Sequence, residues 1–519
     1  MISNQIPDLL HPPPARASDI VRPWAEKSPE SVALVEATGT WTYSQLSAAI
    51  GQTQTWLEDL GTRPGDRVIV VCENSRASVA IFLALGAMDA WPVLVNARLS
   101  AQEIDQIRDH CGARRLIYTV GVSLHARKHA LRHGATVEDI PGLGSLGIGP
   151  RYEDVRPEPL EANTADNVGA LIYTSGTTGR PKGVMLTHRN LLFAATVSCK
   201  IRALTPADRM YGVLPISHVA GLSVVMLATL LSGASLYLSA RFDPTEVIHK
   251  LEHEKITVML GAPALFALLV DYAKHKGMNA LKYSSLRIIS CAGAPLSAET
   301  KSEVEKYFGI VLHNAYGATE CSPSIAQSRL EFPSPANSAG PVVPGVEVKL
   351  VGSGGQKVKE GEVGEVWVRG PNVMKGYYRS PEETAESLSE DGWFNTRDLA
   401  RFEDGNLFVA GRTKDMIIRF GFNVYPAEVE AVLNAHPAVA RSAVVGRMVG
   451  GEEEVVAFVQ LHPNLQASTE DLAKHAAQKL AAYKQPTQII LVTDMPVTSL
   501  GKVIKDQLLS RLNDVSSAD

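Results

Sequence analysis

The feature that most constrains the fold is an alternation of short apolar runs with helical patterns in the N-terminal part of the chain. "RVIVVCEN" (67–74) reads as a buried strand and is followed by the helix-like "RASVAIFLALGAMDA" and then by "PVLVNA". "SAQEIDQIRDHC" (100–111) predicts a helix capped by Ser100, with Glu103 three residues on as in a capping box. This strand–helix–strand rhythm indicates largely parallel sheets with helices on their faces.

Three glycine-rich turns directly follow strand candidates further along the chain. They occur in "ITVMLGAP" (256–263), "LRIISCAGAP" (286–295) and "VLHNAYGATE" (311–320). In open α/β sheets, ligands bind at the carboxyl ends of the strands. We therefore expect these turns to share one site.

Length and a change of pattern divide the chain. Its 519 residues exceed one ordinary core. From about Glu347, alternating strands with glycine turns predict a small antiparallel unit, and a fresh α+β unit with the helix pattern "PAEVEAVLNAH" (426–436) follows Lys414. We expect an α/β fold whose large N-terminal domain (1–413) has stacked, mostly parallel sheets with helices plus the antiparallel unit. Residues 414–519 would form a small, mobile α+β C-terminal domain.

Composition and charge exclude several classes of protein. The formal net charge of −5 argues against nucleic-acid binding. Five dispersed cysteines without a CxxC pair disfavour a zinc site or secretion, and no signal-peptide pattern opens the chain, so a cytoplasmic location is expected. The apolar stretch 211–240 is interrupted by proline, glycine and serine, which favours a buried strand, a turn, a helix ending at Gly233 and another strand over a membrane helix.

The loop "YTSGTTGRPKG" (173–183) follows a strand candidate and precedes a helix-like segment. It fits neither the P-loop pattern, because Gly176 and Gly179 are too close and Gly183 follows Lys182, nor a dinucleotide fingerprint. Its backbone N–H groups, hydroxyl side chains and lysine are nevertheless suited to polyphosphate oxygens. A flexible surface loop is the alternative interpretation.

This loop resembles the signature loop of the adenylate-forming superfamily, which contains acyl- and aryl-CoA synthetases, peptide-synthetase adenylation domains and beetle luciferases. Further segments resemble motifs of that family in the same order: "YGATE" (316–320), "GWFNTRD" (392–398), "GRTKDMI" (411–417), "GFNVYPAEVE" (421–430) and "PVTSLGK" (496–502). The resemblance covers nearly the whole chain, and it implies that the substrates and cofactors are ATP, Mg²⁺ and CoA.

The resemblance also implies roles for individual residues around the nucleotide. The loop would close over the β- and γ-phosphates through Thr174, Ser175, Gly176, Thr177, Thr178 and Lys182. Adenine and ribose would be held by Gly293, Ala294, Pro295, Asn314, Tyr316, Gly317, Asp398 and Arg412. Thr319 would contact phosphate and Glu320 would bind Mg²⁺, since a carboxylate beside polyphosphate suits a hard cation.

A further group of residues is implied for the acid, the thiol and the domain movement. Lys502 would bridge the substrate carboxylate and the α-phosphate, Lys414 would be the hinge, and Gly421 would line the path of the CoA thiol arm. His218 would gate the acyl pocket, which would be lined by His218, Val219, Ala262, Ala292, Gly317 and Ser322. The sequence departs from the usual motifs where Arg397 and Phe420 stand in glycine positions and where Leu500 precedes Gly501-Lys502.

The implied activity is that of an ATP-dependent acyl-CoA synthetase. It would adenylate a carboxylic acid, aryl or medium- to long-chain, and transfer the acyl group to CoA with release of AMP and pyrophosphate. A dicarboxylate is disfavoured because no Lys or Arg occurs in the predicted pocket. Three alternatives stay open, namely an enzyme that loads a carrier-protein thiol, an oxidative enzyme of the luciferase type, and a non-catalytic homologue. No nucleic-acid partner or integral membrane segment is expected, and homodimerisation is left open.

Overall fold

A computed structural model describes residues 14–175, 181–332, 334–420, 422–449, 452–463, 465–498 and 502–516 of the chain. Its largest sheet has eight strands, and its interior is parallel while both edge strands are antiparallel. In spatial order the strands are Ala326–Gln327, Leu312–Tyr316, Ile288–Cys291, Val258–Gly261, Arg209–Gly212, Ser235–Leu238, Val32–Glu36 and Gly39–Thr42. The three turns predicted to share a site follow three neighbouring strands of this sheet.

Two further sheets belong to the N-terminal α/β region. A five-stranded sheet has three parallel strands and an antiparallel pair, in the order Trp91–Asn96, Arg67–Cys72, Arg115–Tyr118, Gly144–Ile148 and Thr136–Ile140. A three-stranded antiparallel sheet contains Gly376–Tyr377, Pro181–Thr187 and Val168–Ser175. Together with the eight-stranded sheet, they confirm the predicted α/β class.

The antiparallel unit predicted after Glu347 is a four-stranded sheet. Its strands, in spatial order, are Glu347–Val351, Gly364–Arg369, Phe394–Glu403 and Asn406–Arg412. The C-terminal part contains a two-stranded ribbon, Ile417–Arg419 with Phe422–Val424, and a three-stranded sheet of Val439–Val449, Glu452–Leu461 and Gln488–Leu491. The α+β character predicted for this part is therefore confirmed.

Helices cover the sheets. The α-helices are Arg22–Lys27, Tyr43–Asp59, Arg76–Ala87, Ala101–Cys111, Leu124–Arg132, His188–Ile201, Ala228–Leu231, Pro244–His253, Pro263–His275, Ala298–Phe308, Pro381–Ser387, Pro426–Asn434, Thr469–Ala477 and Lys505–Ser516. Short 3₁₀ turns are Ala17–Val21, Thr164–Asp166, Thr319–Cys321, Thr413–Asp415 and Ala482–Lys484. Within the described residues, no helix is both long and apolar enough to cross a bilayer.

Local sequence accounts for many helix starts. The hydroxyl of Ser100 accepts a hydrogen bond from the Glu103 N–H, and the Glu103 carboxylate accepts one from the Ser100 N–H, which confirms the predicted capping box. Thr187 and Asn190 form the same reciprocal arrangement at the start of His188–Ile201. Each box satisfies backbone donors that a helix N-terminus otherwise leaves unpaired.

The hydrophobic cores follow from strand alternation. In the eight-stranded sheet, Val258 and Leu260 pack into the main cluster, while Met259 packs into a second cluster on the opposite face. The C-terminal sheet is likewise covered on both faces, because Val444 belongs to one cluster and its neighbour Val445 to another. The cluster that contains Val444 begins at Ile417. The predicted domain boundary after residue 413 stays a prediction.

Two local expectations need correction or refinement. Lys182 does not lead directly into a helix, because it lies on the strand Pro181–Thr187, where its backbone is in register with Thr174. The predicted buried helix before Gly233 is present, but its first part, Ala220–Leu227, is a π-helix. Such π-turns occur frequently at functional sites.

Candidate active site

The site lies at the carboxyl ends of the parallel strands Ile288–Cys291 and Leu312–Tyr316. Gly293, just beyond the first strand, is solvent-exposed with φ of +85°, and the space where a Cβ would stand is empty. Only glycine readily adopts this backbone conformation. The adjoining Ala294 is half-buried and Pro295 is exposed. The turn predicted to flank adenine is thus an open edge that a planar base can approach.

Asp398 is the centre of the best-defined polar cluster. This carboxylate is only 7% exposed, yet both of its oxygens are engaged. The Tyr316 hydroxyl donates to Oδ2 at 2.7 Å, and the Arg412 Nε donates to Oδ1 at 3.1 Å. Thr396 fixes the turn, because its Oγ1 accepts the Asp398 N–H and donates to the Val366 carbonyl. Burial chiefly, and the Asp398 charge next, raise the pKa of Tyr316 far above its usual value, so its hydroxyl stays a donor.

A second cluster surrounds Glu320 on the 3₁₀ turn Thr319–Cys321. The Tyr377 hydroxyl donates to Glu320 Oε1 at 2.8 Å. Lys182 lies over the Tyr377 ring, with its Nζ 5.2 Å from the centroid, and pairs with Glu383 at 2.9 Å. Burial chiefly, together with the Glu320 charge, raises the pKa of Tyr377, which keeps this hydroxyl protonated.

Three further predicted residues, Gly317, Ser322 and Asn314, are fixed by contacts with neighbouring segments. A Cβ on Gly317 would lie 1.3 Å from the Pro323 carbonyl oxygen, so only glycine fits there. Ser322 is fully buried and donates its hydroxyl hydrogen to the Asn372 carbonyl. Asn314 donates its side-chain amide to the Ser338 carbonyl at 2.9 Å. The side chains of Ser322 and Asn314 thus hold neighbouring loops in place.

His218 stands two residues before the π-helix. Its Nδ1 accepts a hydrogen bond from the Ala220 N–H, which leaves the proton on Nε2 in the neutral ring. Burial lowers the pKa of His218 to about 4, so the ring is uncharged at neutral pH. Val219, the next residue, is buried, and so is Ala262, which directly follows the strand Val258–Gly261. Ala292, which directly follows the strand Ile288–Cys291, is half-buried.

Lys502 belongs to the C-terminal part but lies in the charged surroundings of the Asp398 cluster. Although its side chain reaches solvent, the protein around its ammonium lowers the pKa of Lys502, and the Arg412 and Lys414 charges lower it further. Asp398 and Asp415 act in the opposite direction. Two of these charges, Arg412 and Asp398, belong to residues predicted to hold ribose.

Some predicted residues lie outside the described ranges, namely Gly176, Thr177, Thr178 and Gly421. Ser175 is described only by its place on the strand, and Thr174, in register with Lys182, is half-buried. Lys414 is exposed on the 3₁₀ turn Thr413–Asp415. No group of three or more His, Cys, Asp or Glu side chains that could hold a metal ion occurs in the described residues. A magnesium ion held by one carboxylate together with substrate phosphates does not need such a group.

Sequence reasoning missed Tyr377 and Glu383. Tyr377 lies in "KGYYRSPEE" (375–383), where neither the tyrosine pair nor the acidic run has a spacing that indicates chemistry. In the structure the neighbouring Gly376 has φ of +149° and pairs with Met185, which is a backbone constraint and not a sign of chemistry. The contacts of the two missed residues with Glu320 and Lys182 are visible only in the structure.

Comparison with known proteins gives a consistent picture. The signature described as AMP-binding enzyme matches residues 21–378, and that of the AMP-binding enzyme C-terminal domain matches residues 428–502. A feruloyl-CoA synthase of Amycolatopsis sp is 35% identical over 94% of this chain and 97% of its own length. A 4-coumarate–CoA ligase of Pinus taeda is 30% identical over 91% of this chain and 90% of its own length. A naringenin synthase of Pestalotiopsis fici is 34% identical over 92% of this chain but only 18% of its own length.

Solved structures share the fold of this protein over nearly the whole chain. ATP-bound MatB from Rhodopseudomonas palustris has a TM-score of 0.85 at 28% identity, covering 96% of this chain and 99% of that one. The apo form of the same protein, with the same identity and coverage, has a TM-score of 0.74. The O-succinylbenzoate CoA synthetase MenE of Bacillus subtilis, in complex with ATP and magnesium, has a TM-score of 0.81 at 29% identity, with 95% and 99% coverage.

Proposed function

The chain belongs to the AMP-binding enzyme family and is an AMP-forming acid–thiol ligase, and we propose that it joins an aromatic carboxylic acid of the hydroxycinnamate type to CoA. The observation that carries the ligase chemistry is the buried Asp398 cluster, in which Tyr316 and Arg412 each donate to one oxygen of the carboxylate. This arrangement offers a carboxylate for ribose hydroxyls, and Lys502, whose pKa the Asp398 and Arg412 charges influence, would supply an ammonium for the α-phosphate.

In the first step, a carboxylate oxygen attacks the α-phosphorus of ATP, and the bond from that phosphorus to pyrophosphate breaks. Two anions must approach each other, so an ammonium between them lowers the barrier. We assign this role to Lys502.

In the second step, the thiolate sulfur attacks the acyl carbon, and the bond from that carbon to the AMP oxygen breaks. The C-terminal domain would turn about Lys414 and bring the Gly421 segment to the thiol arm. Hinge motions of this kind place the backbone change on a few residues at the ends of elements. Lys414 is exposed on a short 3₁₀ turn, which is consistent with that role.

The choice of acid rests on charge and on the relatives. None of the six predicted pocket residues is Lys or Arg, and His218 is neutral because burial lowers its pKa to about 4. A second carboxylate would therefore find no counter-charge among them, at a cost of several kcal/mol for a desolvated anion. A feruloyl-CoA synthase and a 4-coumarate–CoA ligase match over at least nine-tenths of the chain.

A panel of acids tests the proposal: ferulate, 4-coumarate, benzoate, decanoate, palmitate and malonate with ATP, Mg²⁺ and CoA, with AMP and acyl-CoA measured. We expect the hydroxycinnamates to give the highest kcat/KM and malonate to give none. A higher value for a fatty acid or for malonate would overturn the substrate assignment, and AMP release with none of the acids would contradict the activity.

Transfer to a carrier-protein thiol is the second candidate. The homologous segment of the naringenin synthase is only 18% of that longer protein, so a related unit is part of a larger chain there. Replacing CoA by a phosphopantetheinylated carrier protein in the same assay separates the two. Faster acyl transfer to the carrier than to free CoA would favour this candidate.

A further inference from the structure

Tyr377 lies where three chain segments meet. The segment 374–378 is held at one end by the Met374 N–H, which donates to the Glu320 carbonyl at 2.8 Å. At the other end, the Tyr378 N–H donates to the Gly183 carbonyl at 2.8 Å. Between them, Tyr377 pairs with Val184 and is only 8% exposed. Its side chain is therefore fixed between the Glu320 turn and the strand that carries Lys182.

This one side chain contacts Glu320 and Lys182, the two charged groups to which the family resemblance assigns Mg²⁺ and phosphate binding. The hydroxyl donates to Glu320 Oε1, which leaves Oε2 without a hydrogen bond among the described residues. The ring face lies 5.2 Å from the Lys182 ammonium. An aromatic face attracts a cation at this distance, and a charge-assisted hydrogen bond restricts a carboxylate to one orientation.

Glu383 completes the arrangement as the resting counter-ion of Lys182. The pair is 2.9 Å long, and its side chains are 20% and 34% exposed, so its strength is modest. A polyphosphate carries several negative charges and can displace this single carboxylate. The ammonium would then move from Glu383 to phosphate while it stays over the Tyr377 ring.

We propose that Tyr377 is a positioning residue that orients Glu320 for the magnesium ion of MgATP and guides Lys182 from Glu383 to the phosphates. This inference rests on the proposed function, because it assumes that ATP binds at this site. Tyr377 contacts neither metal nor nucleotide and acts through the two residues that do.

The neighbouring Tyr378 supplies a matched control. It is also buried, at 4% exposed, its hydroxyl also donates to a carboxylate, that of Glu158, and an arginine, Arg379, also lies over its ring. That carboxylate and that cation have no place in the proposed site. Tyr378→Phe therefore removes an equivalent buried hydrogen bond without touching the groups assigned to MgATP.

Calorimetric titration of the full chain with MgATP, over a series of Mg²⁺ concentrations, and with AMP alone tests the proposal. AMP lacks the β- and γ-phosphates and the metal bound to them, so it reports whether the rest of the site is intact. We expect Tyr377→Phe to weaken MgATP binding about tenfold, from a lost hydrogen bond to a charged group, and to leave AMP binding unchanged. Glu383→Gln should tighten MgATP binding up to about fivefold, because an exposed pair contributes little.

Several outcomes would overturn the inference. Equal weakening of AMP and MgATP by Tyr377→Phe would show a merely structural role. An equal effect of Tyr378→Phe, or weaker MgATP binding by Glu383→Gln, would also contradict it. If the wild-type chain binds both nucleotides but Tyr377→Phe changes nothing, only this inference fails, whereas a wild-type chain that binds neither contradicts the proposed function.

Discussion

Removal of the Tyr316 hydroxyl gives a sharp test of the Asp398 cluster. Tyr316→Phe keeps the ring, which is expected to help hold adenine, and removes the hydroxyl that lies 2.7 Å from Asp398 Oδ2 and 3.4 Å from Thr396 Oγ1. The carboxylate is 7% exposed, so little water can replace that donor. Oδ1 keeps its bond from Arg412. The change therefore removes chiefly one buried, charge-assisted hydrogen bond, since the contact with Thr396 is longer.

The expected size of the effect follows from these contacts. A hydrogen bond to a charged group contributes about 2 kcal/mol when its partner is left buried. The unfolding entropy is about 2.1 cal/mol/K per residue, which gives about 0.8 kcal/mol/K for a domain of roughly 400 residues. The Tm of the nucleotide-free variant should thus fall by about 2 °C. Ribose hydroxyls at Asp398 would replace the lost donor, so AMP should raise the Tm more in the variant than in the wild type.

Thermal unfolding with and without saturating AMP measures both effects. Tyr43→Phe is the control, because the Tyr43 hydroxyl is fully buried and donates to the neutral Ala234 carbonyl at 2.8 Å. That variant should lose about 1 kcal/mol of stability with no change in the AMP-induced increment. An unchanged Tm for Tyr316→Phe without nucleotide, or an equal AMP increment in Tyr316→Phe and wild type, would refute the reasoning.

Substitutions at two further positions test the C-terminal lysine and one departure from the family motifs. Lys502→Ala should abolish acyl-adenylate formation but retain thioester formation from supplied adenylate, and equal loss of both half-reactions would contradict this division of roles. Because the pKa of Lys502 is lowered, kcat/KM for ATP should decline as pH rises past a value below that of an ordinary lysine, and Lys502→Arg should remove this decline. Arg397 has φ of +57°, so Arg397→Gly should stabilise the chain by about 1 kcal/mol in thermal unfolding while Arg397→Ala should not.

The parallel sheet could be predicted because its signals are local. Strands buried on both faces read as continuous apolar runs, and the turns after Gly261, Cys291 and Tyr316 are rich in small residues. Helix starts were equally visible, since a capping box such as Ser100 with Glu103 needs only four consecutive residues. These elements then fix where the strand ends meet, and so the place of the site.

Contacts between distant segments could not be predicted in this way. Tyr377 and Glu320 are 57 residues apart, and neither has a sequence pattern that names the other as its partner. The strand Pro181–Thr187 was missed for a related reason. Pro181 and Gly183 are poor strand formers, yet pairing with Val168–Ser175 and with Gly376–Tyr377 determines their conformation. Tertiary pairing outweighed local propensity there.

Arg397 and Phe420 stand where the family motifs have glycine, and they show that a residue can differ from a motif while the backbone conformation is kept. A missing glycine could mean that a turn has changed shape, but Arg397 and Phe420 have φ of +57° and +51°, in the left-handed region that glycine favours. At Arg397 the turn is held by its neighbours, because the Arg397 N–H donates to Asn395 Oδ1 at 2.8 Å. The next N–H along the chain, that of Asp398, donates a hydrogen bond to Thr396 Oγ1. The surrounding hydrogen bonds therefore impose the backbone that presents Asp398, and the arginine adopts it at a cost of about 1–2 kcal/mol.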